Sequence, residues 1–291
     1  MRPHDFAAMV GICLIWAVNA VASRYVIAVA GIPPLFLSAA RFFLAALVLA
    51  PLLRPLPRPL SPVIATALLM GAGHFGLLLC GYGLVDASLA AILLQIGIPM
   101  TALFSALILG EAIGVRKLVG IATALCGVVI VLWRPGHMSV GAGAMLIVLA
   151  AASLALGSVL LKKTQGMTPL RTQAWTAASS CLPLFLASMA FETDQLSQVG
   201  KHAVPFIALL IFSAIIVTVI SHTAYYRLLK LYDVSVVSSL TLMFPLMTVC
   251  LGIFWLGEAT SAGFWFGSAL ALVGVAILLA SRTKVDPALQ E

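Results

Sequence analysis

Ten long stretches of mainly apolar residues run through this 291-residue chain and restrict what it can fold into. Hydrophobic residues make up 63% of the sequence and charged residues 9%, whereas soluble domains have about 45–50% and about 25%. So few charges cannot give a globule of this size a water-facing surface, which excludes a soluble fold. The sequence predicts an all-α integral membrane protein in which a lipid bilayer surrounds ten transmembrane helices of suitable length. The predicted spans are 6–23, 33–53, 61–81, 86–109, 115–133, 140–161, 169–190, 204–226, 235–256 and 263–280.

The basic residues are distributed unevenly between the short connections. If the N-terminus is cytoplasmic, twelve Lys and Arg residues fall on the inside, while Arg24, Arg134 and Lys201 fall outside and Arg41 lies within a span. Cytoplasmic connections of membrane proteins carry the excess of Lys and Arg. We therefore expect a membrane protein with both termini in the cytoplasm. The net charge of +7 then reflects orientation in the membrane, and no nucleic acid partner is expected.

An alternative interpretation concerns the first span. Arg2, the apolar run 6–17 and the small residues at 20–22 also fit a secretory signal peptide. Cleavage would leave nine spans and would break the internal repeat described next.

The chain repeats itself at a spacing of 147 residues. Gly110-Glu111-Ala112 recurs as Gly257-Glu258-Ala259, and Gly120 and Gly127 recur as Gly267 and Gly274. We divide the chain into a five-helix repeat at 6–134 and a second at 140–281. Because five is odd, the second repeat enters the membrane from the opposite side, which gives inverted topology. Inverted repeats are typical of transporters that work by alternating access.

Several motifs resemble the EamA family of the drug/metabolite transporter superfamily. They are the two Leu-Gly-Glu motifs at 109–111 and 256–258, Ile15-Trp16-Ala17-Val18-Asn19 in the first span, and Pro33-Pro34-Leu35 leading to Arg41-Phe42. The resemblance implies a ten-helix carrier of the inner (plasma) membrane that exports amino acids or related metabolites, with Trp16 and Asn19 as substrate residues. The sixth span has Leu154-Ala155-Leu156-Gly157-Ser158 instead of a second Trp-x-x-Asn. A symmetric substrate role therefore cannot be assumed.

Arg41 is the most expensive residue to place in a membrane. It lies eight residues beyond Pro33, and an arginine in the middle of a span costs about 2.5–3.5 kcal/mol on insertion scales. One interpretation places its guanidinium in the cavity, where it attracts a carboxylate. The other has it extending to the interface or binding free carbonyls.

Two histidines occupy nearly equivalent places in the two repeats. His74 has Tyr82 eight residues on, while His222 has Tyr225 and Tyr226 three and four residues on. A stripe of polar side chains on one helix face indicates a cavity wall, where a histidine could carry a coupled proton. The alternative is a neutral histidine bonded to a neighbouring carbonyl.

Two repeat-related prolines predict kinks in the fourth and ninth spans. Pro99 cannot donate to the carbonyl of Gln95, nor Pro245 to that of Thr241, so we expect two free acceptors at mid-depth. A polar cavity would satisfy them, with the Gln95 amide and the Thr241 hydroxyl beside the substrate. The alternative is that both prolines only bend their helices.

The remaining polar residues predict neither a metal site nor a cofactor. No Asp or Glu lies in mid-span, and we expect Glu111 and Glu258 to cap the fifth and tenth helices. The five cysteines lie apart in different spans, which indicates packing and not a disulfide or a metal site.

Small residues follow one face of each of the fifth and tenth spans, at 120, 124 and 127 and at 267, 271 and 274. Such faces allow helices to pack closely. They join either the two repeats or two protomers of a homodimer.

Enzyme motifs are absent from the sequence. The leading hypothesis is a secondary transporter for a small-molecule substrate. An uncoupled facilitator or importer with the same fold is the alternative, and a membrane-embedded lipid-handling enzyme is a remote third.

Overall fold

The computed structural model describes residues 1–132, 141–164, 167–232, 236–237 and 240–280. These residues form helices and contain no strand, which confirms the predicted all-α membrane fold. Nine of the helices are long and apolar enough to cross a membrane, and a shorter apolar one, α9, joins them. The helices are α1 (Pro3–Ala28), α2 (Pro34–Leu53), α3 (Leu60–Tyr82), α4 (Ala87–Leu109), α5 (Val115–Leu132), α6 (Ala142–Leu161), α7 (Pro169–Phe191), α8 (Ala203–Tyr225), α9 (Met243–Leu256) and α10 (Ala262–Ala280).

Some sequence predictions fall on residues outside this description. They include the repeat boundaries 134, 140 and 281, the start of the ninth span at 235, and the basic residues Arg134, Arg282 and Lys284. The backbone of α8 continues as a helix to Leu231 and so includes Tyr226, whose side chain is also outside the described part.

The two Leu-Gly-Glu motifs end helices in the same way. Gly110 ends α4 with φ 71° and Gly257 ends α9 with φ 65°. A glycine adopts this left-handed conformation without a Cβ penalty and is the usual residue just past a helix end. The following glutamate is thereby released from the helix and can reach a neighbouring element.

Helices α3 and α8 each contain a π-helical segment. It spans Leu69–Gly73 in α3 and Phe212–Ser221 in α8, and a histidine follows directly in both, His74 and His222. Such segments are rare and often mark functional sites, because they change which side chains share a helix face. Helix α4 is interrupted by a 3₁₀ turn at Leu94–Ile96.

Close packing by serine hydroxyls explains Gly71 and Gly73 in the α3 segment. A Cβ at Gly71 would lie 2.0 Å from Ser180 Oγ of α7, and one at Gly73 would lie 2.3 Å from Ser153 Oγ of α6. Both hydroxyls bond the backbone of this segment: Ser180 Oγ accepts from the Ala72 N–H at 2.9 Å, and Ser153 Oγ donates to the Leu69 carbonyl at 2.7 Å. Because the glycines have no side chain, serine hydroxyls of α7 and α6 come close enough to hydrogen-bond the irregular backbone of α3.

Helix pairing follows a two-fold relation between the halves. Helix α5 packs on α10 and α2 on α7, while α1 packs on α9 and α6 on α4. Exchanging the first five helices with the last five turns the α5–α10 and α2–α7 pairs into themselves and interchanges the α1–α9 and α6–α4 pairs. This is the packing expected of inverted repeats.

The small-residue faces of α5 and α10 pack on each other within the chain. A Cβ at Gly127 would lie 2.2 Å from the Ala271 nitrogen, and one at Gly274 would lie 2.2 Å from the Ala124 nitrogen. Of the two interpretations left open by the sequence, the structure therefore selects the contact between repeats. The faces that suggested a homodimer are therefore occupied within the chain, and the homodimer itself stays an untested prediction.

The bundle has two ends, which we name by where the chain begins. The near end holds the start of α1 and α3 and the end of α6, and the far end holds the start of α2 and α4 and the end of α7. Large apolar side chains cover the outside between them, among them Leu107, Leu182, Phe254 and Phe266, each more than 60% exposed. In water that surface would be very unfavourable, so the protein is a multi-pass membrane protein.

Candidate functional site: a cavity between the repeats

A cavity of about 500 Å³ lies in the middle of the bundle, between helices of both halves. Every helix except α5 and α10 contributes to its wall. Nine of the twelve predicted site residues line it: Trp16, Asn19, Arg41, His74, Tyr82, Gln95, His222, Tyr225 and Thr241. The structure therefore gathers residues that are up to 225 positions apart in sequence, from Trp16 to Thr241.

Arg41 is buried in the wall of the cavity and does not extend to the interface. Its guanidinium carbon lies 4.3 Å from the centre of the Phe75 ring, and Nη2 donates to Thr218 Oγ1 at 3.2 Å. Its Nε is buried without a hydrogen-bond partner, and no carboxylate of the described residues lies within 4 Å. The aromatic face and the hydroxyl hold the cation in place without neutralising it.

The π-helical segment of α8 supplies hydroxyls to three cavity residues. Thr218 accepts from Arg41, Ser213 Oγ donates to Asn19 Oδ1, and Ser221 Oγ accepts from Trp16 Nε1 at 2.9 Å. Sequence analysis missed these three hydroxyls because they do not recur with the 3.6-residue period of an α-helix. The spacing of five residues between Ser213 and Thr218 matches the i to i+5 pattern of a π-helix, and that was the available signal.

The two histidines occupy similar positions but bond different partners. His74 Nδ1 lies 2.9 Å from the Ala150 carbonyl of α6, whereas His222 Nδ1 lies 2.6 Å from the Val217 carbonyl of its own helix. The His222 ring also packs against Trp16, with 5.5 Å between ring centres. Both rings thus line the cavity and also make the carbonyl bonds of the alternative interpretation, so the two interpretations are compatible.

Pro99 and Pro245 are buried behind the wall, contrary to the expectation that they line the cavity. Pro99 points away from the stripe at 94, 98 and 101 by which α4 faces the cavity, and Phe244 forms the wall beside Pro245.

The expectation that the Thr241 carbonyl is free is also wrong. It accepts from the Phe244 N–H at 3.0 Å, because the backbone turns before α9 begins at Met243. Each proline is the third residue of a described helical segment, Gly97–Leu109 or Met243–Leu256. In a first turn the missing N–H costs little.

The cavity is closed toward the far end and reaches the near end. Toward the far end its lining residues Leu78, Leu79 and Tyr82 are buried at 3–6% exposure. They belong to the largest cluster of buried apolar side chains in the described part of the chain. Toward the near end the wall includes Ser158 and Gln173, both partly exposed, near the end of α6 and the start of α7.

Carboxylates at the far end bind helix N-termini instead of capping the helices that follow them. Glu258 accepts from the backbone N–H groups of Ala87 and Ser88 at 2.7 and 2.9 Å, and Ser88 Oγ also donates to it. Glu192 accepts from the N–H groups of Leu35 and Phe36 at 2.7 and 2.9 Å. An anion at a helix N-terminus is favoured by the helix dipole. These contacts fix the starts of α4 and α2.

Glu111, the repeat counterpart of Glu258, has a different partner. It lies 3.0 Å from Lys162 Nζ at the near end, where both side chains are partly exposed at 34% and 55%. The hydrogen bond from Lys162 lowers the pKa of the Glu111 carboxyl. The expectation that Glu111 and Glu258 cap α5 and α10 is therefore wrong for both, since their carboxylates contact α6 and α4.

The cavity wall contains no Asp or Glu among its described residues. The described part of the chain also contains no group of three His, Cys, Asp or Glu side chains that could hold a metal ion. The polar groups of the cavity wall are amides, hydroxyls, imidazoles and one guanidinium. Such a set suits binding of a small polar molecule by hydrogen bonds.

Known proteins resemble this chain over nearly its whole length. A probable amino-acid metabolite efflux pump of Salmonella typhimurium is 27% identical over 286 residues, which cover 95% of this chain and 94% of the relative. One with the same description from Escherichia coli is 24% identical, with 95% of both chains covered. A solved crystal structure at 18% identity has the same fold, with a TM-score of 0.55 over 96% of this chain and 98% of that one.

The family comparison agrees with the division of the chain into two related halves. The sequence model of the EamA-like transporter family matches twice, at residues 6–133 and 141–280. Together the two matches include every described transmembrane helix except the first three residues of α1. The chain therefore belongs to the EamA-like transporter family.

Proposed function

We propose that this protein exports amino acids or related small metabolites across the inner membrane by alternating access, with the central cavity as its substrate site. The observation that carries the proposal is the cavity itself, which lies between the two inverted halves, is closed at the far end and reaches the near end. The names of the Salmonella typhimurium and Escherichia coli relatives support amino-acid metabolites as the substrate class.

The proposed direction of transport is supported by the predicted orientation of the chain and by the names of the efflux-pump relatives. The distribution of basic residues predicts that the near end and both termini lie in the cytoplasm. A cavity that reaches the near end is then in the state that takes up substrate from the cytoplasm in an exporter. In the alternate state the far end opens and the near end closes, with the repeats 6–134 and 140–281 exchanging roles.

The residues proposed to contact substrate are those of the polar wall. Arg41 binds a carboxylate, while Gln95 of α4 and Thr241, which lies just before α9, supply further hydrogen bonds. Trp16 and Asn19 shape the cavity from α1, with Tyr82 and Tyr225 at its two ends. Tyr226 follows Tyr225 on α8 and stays a candidate from sequence alone.

Two histidines are the proposed groups for proton coupling, because no carboxylate lines the described wall. If His74 or His222 carries the proton, a His→Gln change removes the pH dependence of flux while the protein still folds. Flux that never depends on a pH gradient would favour the uncoupled facilitator.

Transport by purified protein in liposomes tests the proposal. We expect accumulation of labelled amino acids or their metabolites against unlabelled substrate, and loss of that flux in Gln95→Leu and Thr241→Val. Thr123→Val is the matched control, because the Thr123 hydroxyl bonds the Val119 carbonyl of its own helix at 2.8 Å and lies off the cavity. Unchanged flux in both cavity variants would contradict the proposed site.

A further inference from the structure

We propose that the cavity prefers small organic monoanions, carboxylates that carry an apolar group and no ammonium group, over amino acids with the same carbon skeleton. This inference rests on the proposed function, because it names the substrate class of the same cavity. It predicts that deaminated or N-blocked relatives of amino acids are better ligands than the amino acids themselves.

The first argument is the balance of charge. The described wall has one permanent cation, Arg41, and no Asp or Glu. A buried charge is costly until an opposite charge neutralises it. A monocarboxylate leaves the loaded cavity neutral, whereas a zwitterion adds one charge of each sign and leaves the same net positive charge as before.

Acidic residues at the ends of the bundle have partners there. Glu258 and Glu192 bind helix N-termini, Glu111 binds Lys162, and Asp86 lies 3.7 Å from Arg24. None of these carboxylates lines the cavity. An ammonium group inside would therefore exchange its hydration for neutral acceptors only, which is unfavourable for a full charge.

The second argument is the orientation of the guanidinium. One face packs on the Phe75 ring at 4.3 Å, so its N–H groups point sideways in the guanidinium plane. The Thr218 hydroxyl donates to the Ser213 carbonyl at 2.9 Å and therefore presents only its acceptor side to Arg41. The buried Nε lacks a hydrogen-bond partner, and the planar fork of an arginine matches the two oxygens of a carboxylate.

The third argument is the apolar part of the wall. Phe42, Leu78, Leu79, Ile98 and Phe244 surround the cavity beside the polar groups. Burial of an apolar ligand group there is favourable by about 25 cal/mol per Å². A substrate with a carboxylate at one end and an aliphatic or aromatic group at the other matches both parts.

Three related phenylalkyl probes separate the charge states. 3-Phenylpropanoate is the anion, phenylalanine the zwitterion and 2-phenylethylamine the cation, and binding of each to the purified full-length protein is measured by calorimetry at neutral pH. We expect the anion to bind at least about tenfold more tightly than the zwitterion, the effect of one charged hydrogen bond left uncompensated. The amine should not bind.

Variants assign the preference to Arg41. In Arg41→Gln the anion should lose its advantage over the zwitterion, while Lys201→Gln, which removes a charge from a short surface helix, should leave it unchanged. If Arg41→Gln does not fold, the three probes on the wild-type protein still decide the question.

Each outcome has a distinct consequence. Binding of the zwitterion as tight as that of the anion, or binding of the amine, overturns the anion preference and leaves amino-acid export standing. Absence of binding by all three probes to folded protein overturns the preference as well. Failure of the proposed function is recognised separately, as absence of flux for both labelled amino acids and labelled carboxylates in liposomes.

Discussion

The far and near ends of the bundle contain related sequences but differ in their contacts. At the far end Glu258 makes three hydrogen bonds to the start of α4, and its counterpart Glu111 at the near end makes a partly exposed ion pair with Lys162. The buried apolar cluster is large at the far end, whereas the cluster of Met9, Ile12, Cys13, Leu228 and Val237 at the near end is small. The same Leu-Gly-Glu motif therefore closes one end only.

This difference shows that the asymmetry of the molecule lies in its contacts and not in its helix arrangement. Helix pairing obeys the two-fold relation, yet the partners of the two glutamates do not. A transporter with inverted repeats needs this property, because its two states exchange the contacts of the two ends. The predictions below test the comparison, beginning with the largest expected effect.

Glu258→Gln should destabilise the protein far more than Glu111→Gln. The amide keeps one acceptor but turns an NH₂ group toward a backbone N–H, so a charged hydrogen bond is replaced by an unfavourable contact. Loss of one such bond costs about 1.5–3 kcal/mol, whereas an exposed ion pair contributes less than about 1 kcal/mol. Thermal unfolding of the detergent-solubilised variants measures both. Equal losses in the two variants would remove the proposed difference between the ends.

Gly252→Ala should disturb the same far-end contact from the other side. A Cβ at this position would lie 2.3 Å from Glu258 Oε2 and 2.7 Å from Ser88 Oγ. We expect Gly252→Ala to have a lower melting temperature than wild type. Adding Glu258→Gln to this variant should lower the melting temperature little further, because both changes break the same contact. Gly263→Ala is the control, since its Cβ would meet only Ser261 Oγ, at 3.7 Å. Additive losses in the double variant would show independent effects.

Cysteine labelling should distinguish the two ends of the cavity. In a background without the native cysteines, Ser158→Cys near the end of α6 should react quickly with a water-soluble maleimide, and Leu79→Cys should react slowly. The reason is access, because Ser158 is partly exposed while Leu79 is 3% exposed. Reaction rates in liposomes, followed by mass spectrometry, provide the measurement. Faster labelling of Leu79→Cys would mean that the cavity opens at the far end.

Lys162→Gln should have the smallest effect on stability. Lys162 lowers the pKa of Glu111, so the pair stabilises the folded protein above the ordinary carboxyl pKa of about 4.3 and loses that contribution as the pH falls through the lowered value. We expect a difference from wild type at pH 7 that shrinks toward pH 3 and in 1 M salt. A difference that persists at low pH would point to packing and not to charge.

The sequence by itself was sufficient for the fold class and for nine of the residues that line the cavity. Arg41, His74 and Gln95 were identifiable because a polar residue in a membrane span needs a partner or a cavity. The repeat of Gly110-Glu111 at 257–258 indicated the inverted halves, since similar segments separated by an odd number of helices must face opposite ways. These conclusions depend only on composition and order along the chain.

Only the tertiary structure decided which partner each of these groups has. Two glutamates in identical motifs contact different helices, because the loop positions that place them depend on how the halves pack and not on local sequence. The hydroxyls of Ser213, Thr218 and Ser221 bond the cavity residues Asn19, Arg41 and Trp16 because α8 winds as a π-helix there, which no α-helical period predicts. Long-range packing selects among locally equivalent arrangements, and for this protein it selected the one that is closed at the far end.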